Sequence, residues 1–233
     1  MDVLNELVGP ALDRLRYLLT VVDLAASIVF AVTGALVASR KQLDIVGFMW
    51  LGVVTGVGGG TVRDLLLGVP VFWVRDETPV IACLLASAAT FFTAHLVHSR
   101  YRLIVWLDAI GLALVTVAGT AKGLDNGAGP VVAVVMGVLT AALGGIIRDI
   151  LGQEPSIILR REIYVTAAVV GGVAYVLLVG LGQDRTMSAV IGGLAAFVVR
   201  GLAIVYGWSM PTYRARPGRS EDQINQLDPR NPG

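Results

Sequence analysis

Two short stretches carry the residues able to do chemistry in this otherwise apolar chain. Gly58-Gly59-Gly60 is followed by Arg63-Asp64, and Gly144-Gly145 by Arg148-Asp149, each inside a run of bilayer-spanning length. A glycine cluster weakens a spanning helix and permits a kink, and the backbone groups so freed are tolerated only beside protein or water. Gly52, Gly56 and Gly60, like Gly137, Ala141 and Gly145, also form small-residue stripes that let helices pack closely. Charges in a bilayer are costly and concentrate where they function. Arg63 and Arg148 therefore read either as lining a path or holding a lipid headgroup, or as pairing with carboxylates. The possible partners are Asp64 and Asp149 next in sequence, and Asp23 and Asp108 near the starts of two other spans. Those two aspartates read equally as cation attractors at opposite mouths. Lys122, after Gly119-Thr120-Ala121, either projects into a path and responds to voltage or snorkels to the interface. Arg200 is expected to snorkel.

Other chemistry finds no foothold. His95 and His98 stand at the end of an apolar run without a third ligand nearby, and Cys83 is the only cysteine, so neither a metal site nor a disulfide is expected. There is no Ser-His-Asp set, HExxH, Walker loop or GxGxxG in a strand–turn–helix context. A net charge of +1 carries no field for nucleic acid. The expectation is a protein that is not an enzyme and holds no cofactor.

The elements that position these residues are spanning helices. Of 233 residues 55% are hydrophobic and 15% charged, against about 25% charged in soluble domains, and mean hydropathy is +0.75. The apolar runs are continuous rather than alternating, which favours helices over a membrane β-barrel. Seven spans are expected: 18–38, 45–67, 79–97, 103–122, 130–151, 163–182 and 187–206. The first resembles a secretory signal, with Arg14 and Arg16 ahead of it, and is read as a span. Residues 1–208 form one membrane domain. Residues 209–233, rich in Pro, Arg, Asp, Asn and Gln, are expected to be a flexible cytoplasmic tail.

One ungapped offset of 85 residues superimposes the rare residues. It pairs Asp23 with Asp108, Gly34 with Gly119, Gly52 with Gly137, Thr55 with Thr140, Gly59 with Gly144, Arg63 with Arg148, Asp64 with Asp149, Pro70 with Pro155 and Glu77 with Glu162. Each copy (18–98 and 103–183) holds three spans. An odd number turns the second copy upside down, giving an inverted repeat with a seventh helix (187–206) added, an arrangement typical of transport proteins. Lys122 breaks the pattern, since Val37 is its partner, and Leu143 stands where the first copy has Gly58. Arg40, Lys41, Arg100, Arg102, Arg160, Arg161 and the arginines of the tail share one side, which puts the C-terminus in the cytoplasm and the N-terminus outside.

The doubled pattern Gly-Gly-Gly-x-x-Arg-Asp (58–64) and Gly-Gly-x-x-Arg-Asp (144–149), with Gly-Thr-Ala-Lys at 119–122, resembles the TRIC family of trimeric intracellular cation channels in its prokaryotic branch, over about residues 18–206. The resemblance implies a homotrimer with one pore per protomer, conducting K+ or Na+ and gated by voltage or ligand. It implies that spans 2 and 5 bend at their glycines and line the pore with spans 1 and 4, that Lys122 helps close it, and that Arg63 and Arg148 match positions contacting lipid phosphates in eukaryotic members. It places the protein in a bacterial or archaeal cytoplasmic (inner) membrane, with lipids, monovalent cations and further copies of itself as partners. Relatives of this pattern are also classed as transporters of glycine or another small amino acid, which is the alternative. A purely structural role for the glycines is the third.

Overall fold

A computed structural model describes residues 2–154 and 163–210, with side chains described at residue 17 and from residue 19 onward. Pro155, Arg160, Arg161, Glu162 and the tail from 211, all used in the sequence reading, lie outside the described residues, as do the side chains of Arg14 and Arg16. All regular structure among the described residues is helical. The helices are α1 (Asp2–Arg40), α2 (Ile45–Leu66), α3 (Phe72–Arg75), α4 (Thr78–Thr93, continued by a 3-10 turn at Ala94–Leu96), α5 (Arg100–Asp125), α6 (Pro130–Leu151), α7 (Val165–Gly180) and α8 (Arg185–Tyr206).

Six of these are long and apolar enough to cross a membrane, the first over Leu19–Arg40, and α7 is a shorter apolar helix. Each of the seven expected spans is present as a helix, six of them of spanning length and the one expected at 163–182 shorter, as α7. Two features are additional: α1 continues back to Asp2, and α3 is a single turn inside a loop. Local chemistry sets several helix starts. Asp44 accepts from the Gly47 N–H at 2.7 Å, Ser99 from Arg102 at 3.3 Å and Asp184 from Met187 at 2.9 Å, each satisfying a donor that a first turn leaves open. Pro130 opens α6, where its missing N–H costs nothing.

The inverted repeat is visible in the packing and the turns. α1, α2 and α4 pack on one another as α5, α6 and α7 do, and the two triplets meet through α1 against α5 and α2 against α6. α8 lies on α5 and α7. The Leu43 N–H bonds the Ala38 carbonyl at 3.2 Å, as its counterpart Ala128 bonds Gly123 at 3.0 Å. Val69 bonds Asp64 at 3.0 Å, as Glu154 bonds Asp149 at 2.9 Å. These are six-residue helix-terminating loops, and each needs one left-handed residue. Gln42 and Gln153 supply it at φ 55° and 49°, and their counterparts are Gly127 at 80° and Gly68 at 66°. The turn conformation repeats even where the residue type does not.

The repeats are joined by buried aliphatic and aromatic side chains, with Phe30 of α1, Leu112 of α5 and Ala141 of α6 in one cluster. Small residues bring the backbones close. Alanine at Gly34 would put its Cβ 3.0 Å from the Gly52 Cα, and at Gly119 2.9 Å from the Gly137 Cα, again a repeat-related pair.

Candidate functional site

Each repeat builds the same ionic cluster. In the first, the Arg63 Nη1 donates to Asp23 Oδ1 at 3.0 Å and its Nε to Asp64 Oδ1 at 2.8 Å. In the second, the Arg148 Nη1 donates to Asp108 Oδ1 at 2.8 Å and its Nε to Asp149 Oδ1 at 2.9 Å. Both arginine side chains are buried, so each charge needs these partners. Of the two readings left open by sequence, carboxylate pairing is the geometry present. Both guanidinium groups are enclosed by protein, their side chains 0% and 1% exposed.

The two clusters differ where the sequences differ. Lys122 at the end of α5 places its Nζ 2.8 Å from Asp64 Oδ1, and its side chain is 26% exposed. In the second cluster Thr33 accepts from Arg148 at 3.2 Å. Tyr164 donates to the Ala141 carbonyl at 3.2 Å and lies beside Gly145, where Asp108 and Arg148 also converge. Arg200 of α8 stacks over the Tyr164 ring at 5.3 Å and donates to the Ile163 carbonyl. It is 1% exposed, which corrects the expectation of snorkelling: the seventh helix turns this charge inward, towards the second cluster. Asp23 is 18% exposed and Asp108 not at all. The N-terminal-side cluster is therefore open to water and the other is sealed.

Between the clusters, at the crossing of α2 and α6, lies a cavity of about 20 Å³. Gly56, Gly59, Gly60 and Gly144 line it with Ser27, Thr55 and Thr140. α2 and α6 remain helical through their glycines. Those glycines provide close approach. An added Cβ at Gly144 would lie 2.9 Å from the Thr55 carbonyl oxygen, and one at Gly59 would collide with the Thr140 carbonyl, the repeat-related contact. Gly58 meets Ile147, and Gly145 faces the second cluster with room to spare.

The cavity's hydroxyls have their protons committed. Ser27 donates to the Asp23 carbonyl at 2.8 Å, Thr55 to Leu51 at 2.6 Å and Thr140 to Met136 at 2.5 Å. A hydroxyl has one proton and two lone pairs, so each can present oxygen lone pairs to the cavity. A second, wider cavity of about 210 Å³ opens on the N-terminal side, lined by Thr20, Asp23, Phe72, Asp76, Thr78 and Lys122. The Thr78 hydroxyl and backbone N–H both donate to Asp76 and hold its carboxyl below the ordinary aspartate range. No group of three or more metal-ligating side chains occurs among the described residues.

Sequence reasoning missed Phe72, Thr33, Tyr164 and the inward Arg200. Thr55 and Thr140 were visible as a repeat pair but not as a lining. The aromatic pair Phe72-Trp73, two residues after Pro70, was the available signal for the first.

The family model described as "Glycine transporter" matches twice, at residues 20–95 and 105–179, and the two matches begin at the repeat offset of 85. The inner membrane protein YadS of Escherichia coli, a UPF0126 protein, is 40% identical over 82% of this chain and 94% of its own length. A UPF0126 membrane protein of Vibrio cholerae is 37% identical over 91% and 90%. Among solved structures, the TRIC trimeric intracellular cation channel orthologue from Rhodobacter sphaeroides is 53% identical, with a TM-score of 0.80 over 82% of this chain and 99% of that one. A prokaryotic TRIC channel in 0.5 M KCl is 27% identical, with a TM-score of 0.78 over 84% and 100%. The doubled ionic clusters, the repeat that the family model matches twice and these relatives lead to one conclusion: this chain belongs to the UPF0126 family, in the prokaryotic branch of the TRIC fold.

Proposed function

We propose that this protein is a monovalent cation channel, passing K+ through one pore in each protomer of a homotrimer. It would sit in the bacterial cytoplasmic membrane with its N-terminus outside and its C-terminus in the cytoplasm. The observation that carries the reading is the central cavity, whose hydroxyl protons are turned away and whose size suits one water or one bare monovalent cation. The hydroxyl oxygens carry no net charge, and the carboxylate on the lining, Asp23, is paired with Arg63, so a cation is held weakly enough to leave, as conduction requires. An anion meets no donor from these hydroxyls. Of the solved relatives named above, one is described as a cation channel orthologue and the other as a TRIC channel, which supports the same reading.

Lys122 is the gating residue in this proposal. It stands at the wide N-terminal-side cavity and is tied to Asp64, so leaving that carboxylate would move a positive charge off the path. A transporter of glycine is the second reading, favoured by the family description and by a wide cavity that holds both Lys122 and the carboxylates of Asp23 and Asp76. An amino-acid zwitterion matches that pairing of charges. It exceeds the central cavity, so passage would require α2 and α6 to part. Planar-bilayer recording of purified protein in asymmetric KCl separates the two. Discrete steps reversing near the K+ potential are expected. Silent membranes together with saturable glycine uptake into proteoliposomes would replace the channel by the transporter.

A further inference from the structure

We propose that Phe72 is a second gating residue, an aromatic plug between the N-terminal-side vestibule and the central cavity, latched together with Lys122 onto Asp64. The inference rests on the channel reading. Only Asp23 and Phe72 line both cavities, and Phe72 is the one with an apolar ring to obstruct the junction. The ring seats against Gly60, where an added Cβ would fall 2.7 Å from its Cε1. The two cations of the first cluster flank it, the Arg63 guanidinium carbon 5.8 Å and the Lys122 Nζ 6.0 Å from the ring centre. Both lie within cation–π range.

The ring belongs to α3, a single turn whose N-cap makes no side-chain hydrogen bond. Two bonds hold that turn to α2. The Phe72 N–H donates to Asp64 Oδ2 at 3.0 Å, and the Trp73 indole N–H donates to the Thr61 hydroxyl at 2.8 Å. Asp64 is thus shared. One of its oxygens takes Arg63 and Lys122, and the other takes the backbone of the plug. When Lys122 leaves, the ring loses a cation–π partner and Asp64 loses the cation beside its bond to α3. An apolar ring across a narrow junction excludes water and with it hydrated ions, which is how hydrophobic constrictions gate. The device is one-sided, because the second repeat has Ile157 at the matching position and Val37 in place of Lys122.

The test follows a thiol behind the plug. Ser27 lines the central cavity, so Ser27→Cys in a Cys83→Ala background reports entry of silver(I), a thiol-reactive monovalent cation. Silver nitrate is applied to the vestibule face of vesicles, and thiols left unreacted are counted after denaturation with a maleimide mass tag. With Phe72 present the thiol should react slowly, and Phe72→Ala should speed it about tenfold, the combined scale of the two cation–π contacts that hold the half-buried ring. Gly60→Ala keeps the ring but removes its seat, and should speed the reaction likewise. Equal rates in all three proteins would overturn the plug. The readout needs no current, so the two proposals can fail separately. Entry controlled by Phe72 in a protein that passes no K+ supports the plug and removes the channel. K+ currents and silver entry both indifferent to Phe72 leave the channel and remove the plug.

Discussion

Arg63 and Arg148 sit in equivalent clusters, but Asp23 is partly exposed where its counterpart Asp108 is buried. Removing Asp108 leaves a buried guanidinium with Thr33 and one carboxylate, Asp149, and breaking a buried pair in this way costs about 3–5 kcal/mol. Asp23→Ala should cost less, because solvent at the vestibule can take over part of its role. Thermal unfolding in detergent should therefore place Asp108→Ala well below Asp23→Ala in Tm, and equal losses would contradict the difference in solvent access. Lys122→Ala should raise open probability in single-channel records, since it frees one side of Asp64 and of the Phe72 ring; unchanged gating would remove Lys122 from the mechanism. The charged partners were legible because an apolar chain has so few charges to pair. Phe72 was not, because an aromatic residue in a loop between spans reads first as an interfacial anchor.

α2 and α6 meet where Gly59 faces the Thr140 carbonyl and Gly144 faces the Thr55 carbonyl. A methyl at Gly59 has backbone in its way, so the helices must separate, and overpacking of this kind costs about 1–3 kcal/mol. Gly145 is different. Its nearest neighbours are the Arg148 Nη2 and Asp108 Oδ1, both 3.6 Å from the Cβ an alanine would add, which is ordinary contact. Alanine there also gains about 1 kcal/mol of helix propensity. Gly59→Ala should lower Tm and Gly145→Ala should leave it level or raise it. The reverse order would mean that bending at Gly145, and not close approach at Gly59, is what the structure needs. Spacing showed both glycine clusters, but which glycine touches backbone depends on the helix crossing, and no single sequence displays that.

The two faces of the whole molecule are unlike. The N-terminal side has the vestibule, Lys122 and Phe72, whereas the second cluster is sealed under Tyr164 and Arg200. A charge crossing the full membrane field gains about 2.3 kcal/mol per 100 mV, and Lys122 would cross part of it. In membranes with one insertion orientation, open probability should depend on the sign of the voltage, and Lys122→Val, the residue of the other repeat, should flatten that dependence. Equal response to both polarities in the parent protein would mean that Lys122 does not sense the field.

The seven spans, the inverted repeat and the set of charges that must find one another are all legible in the amino-acid sequence. These follow from composition and spacing, because lipid compels each span to close its own backbone bonds and the repeat offset aligns the rare residues. Packing of the helices decided which carboxylate meets which arginine, that Arg200 points inward, that Ser27, Thr55 and Thr140 line one small cavity, and that Phe72 lines both that cavity and the vestibule. Those facts depend on how helices cross and rotate about their axes, which small residues permit but do not specify. Contacts between residues 40 positions apart and more become visible only when the helices are packed.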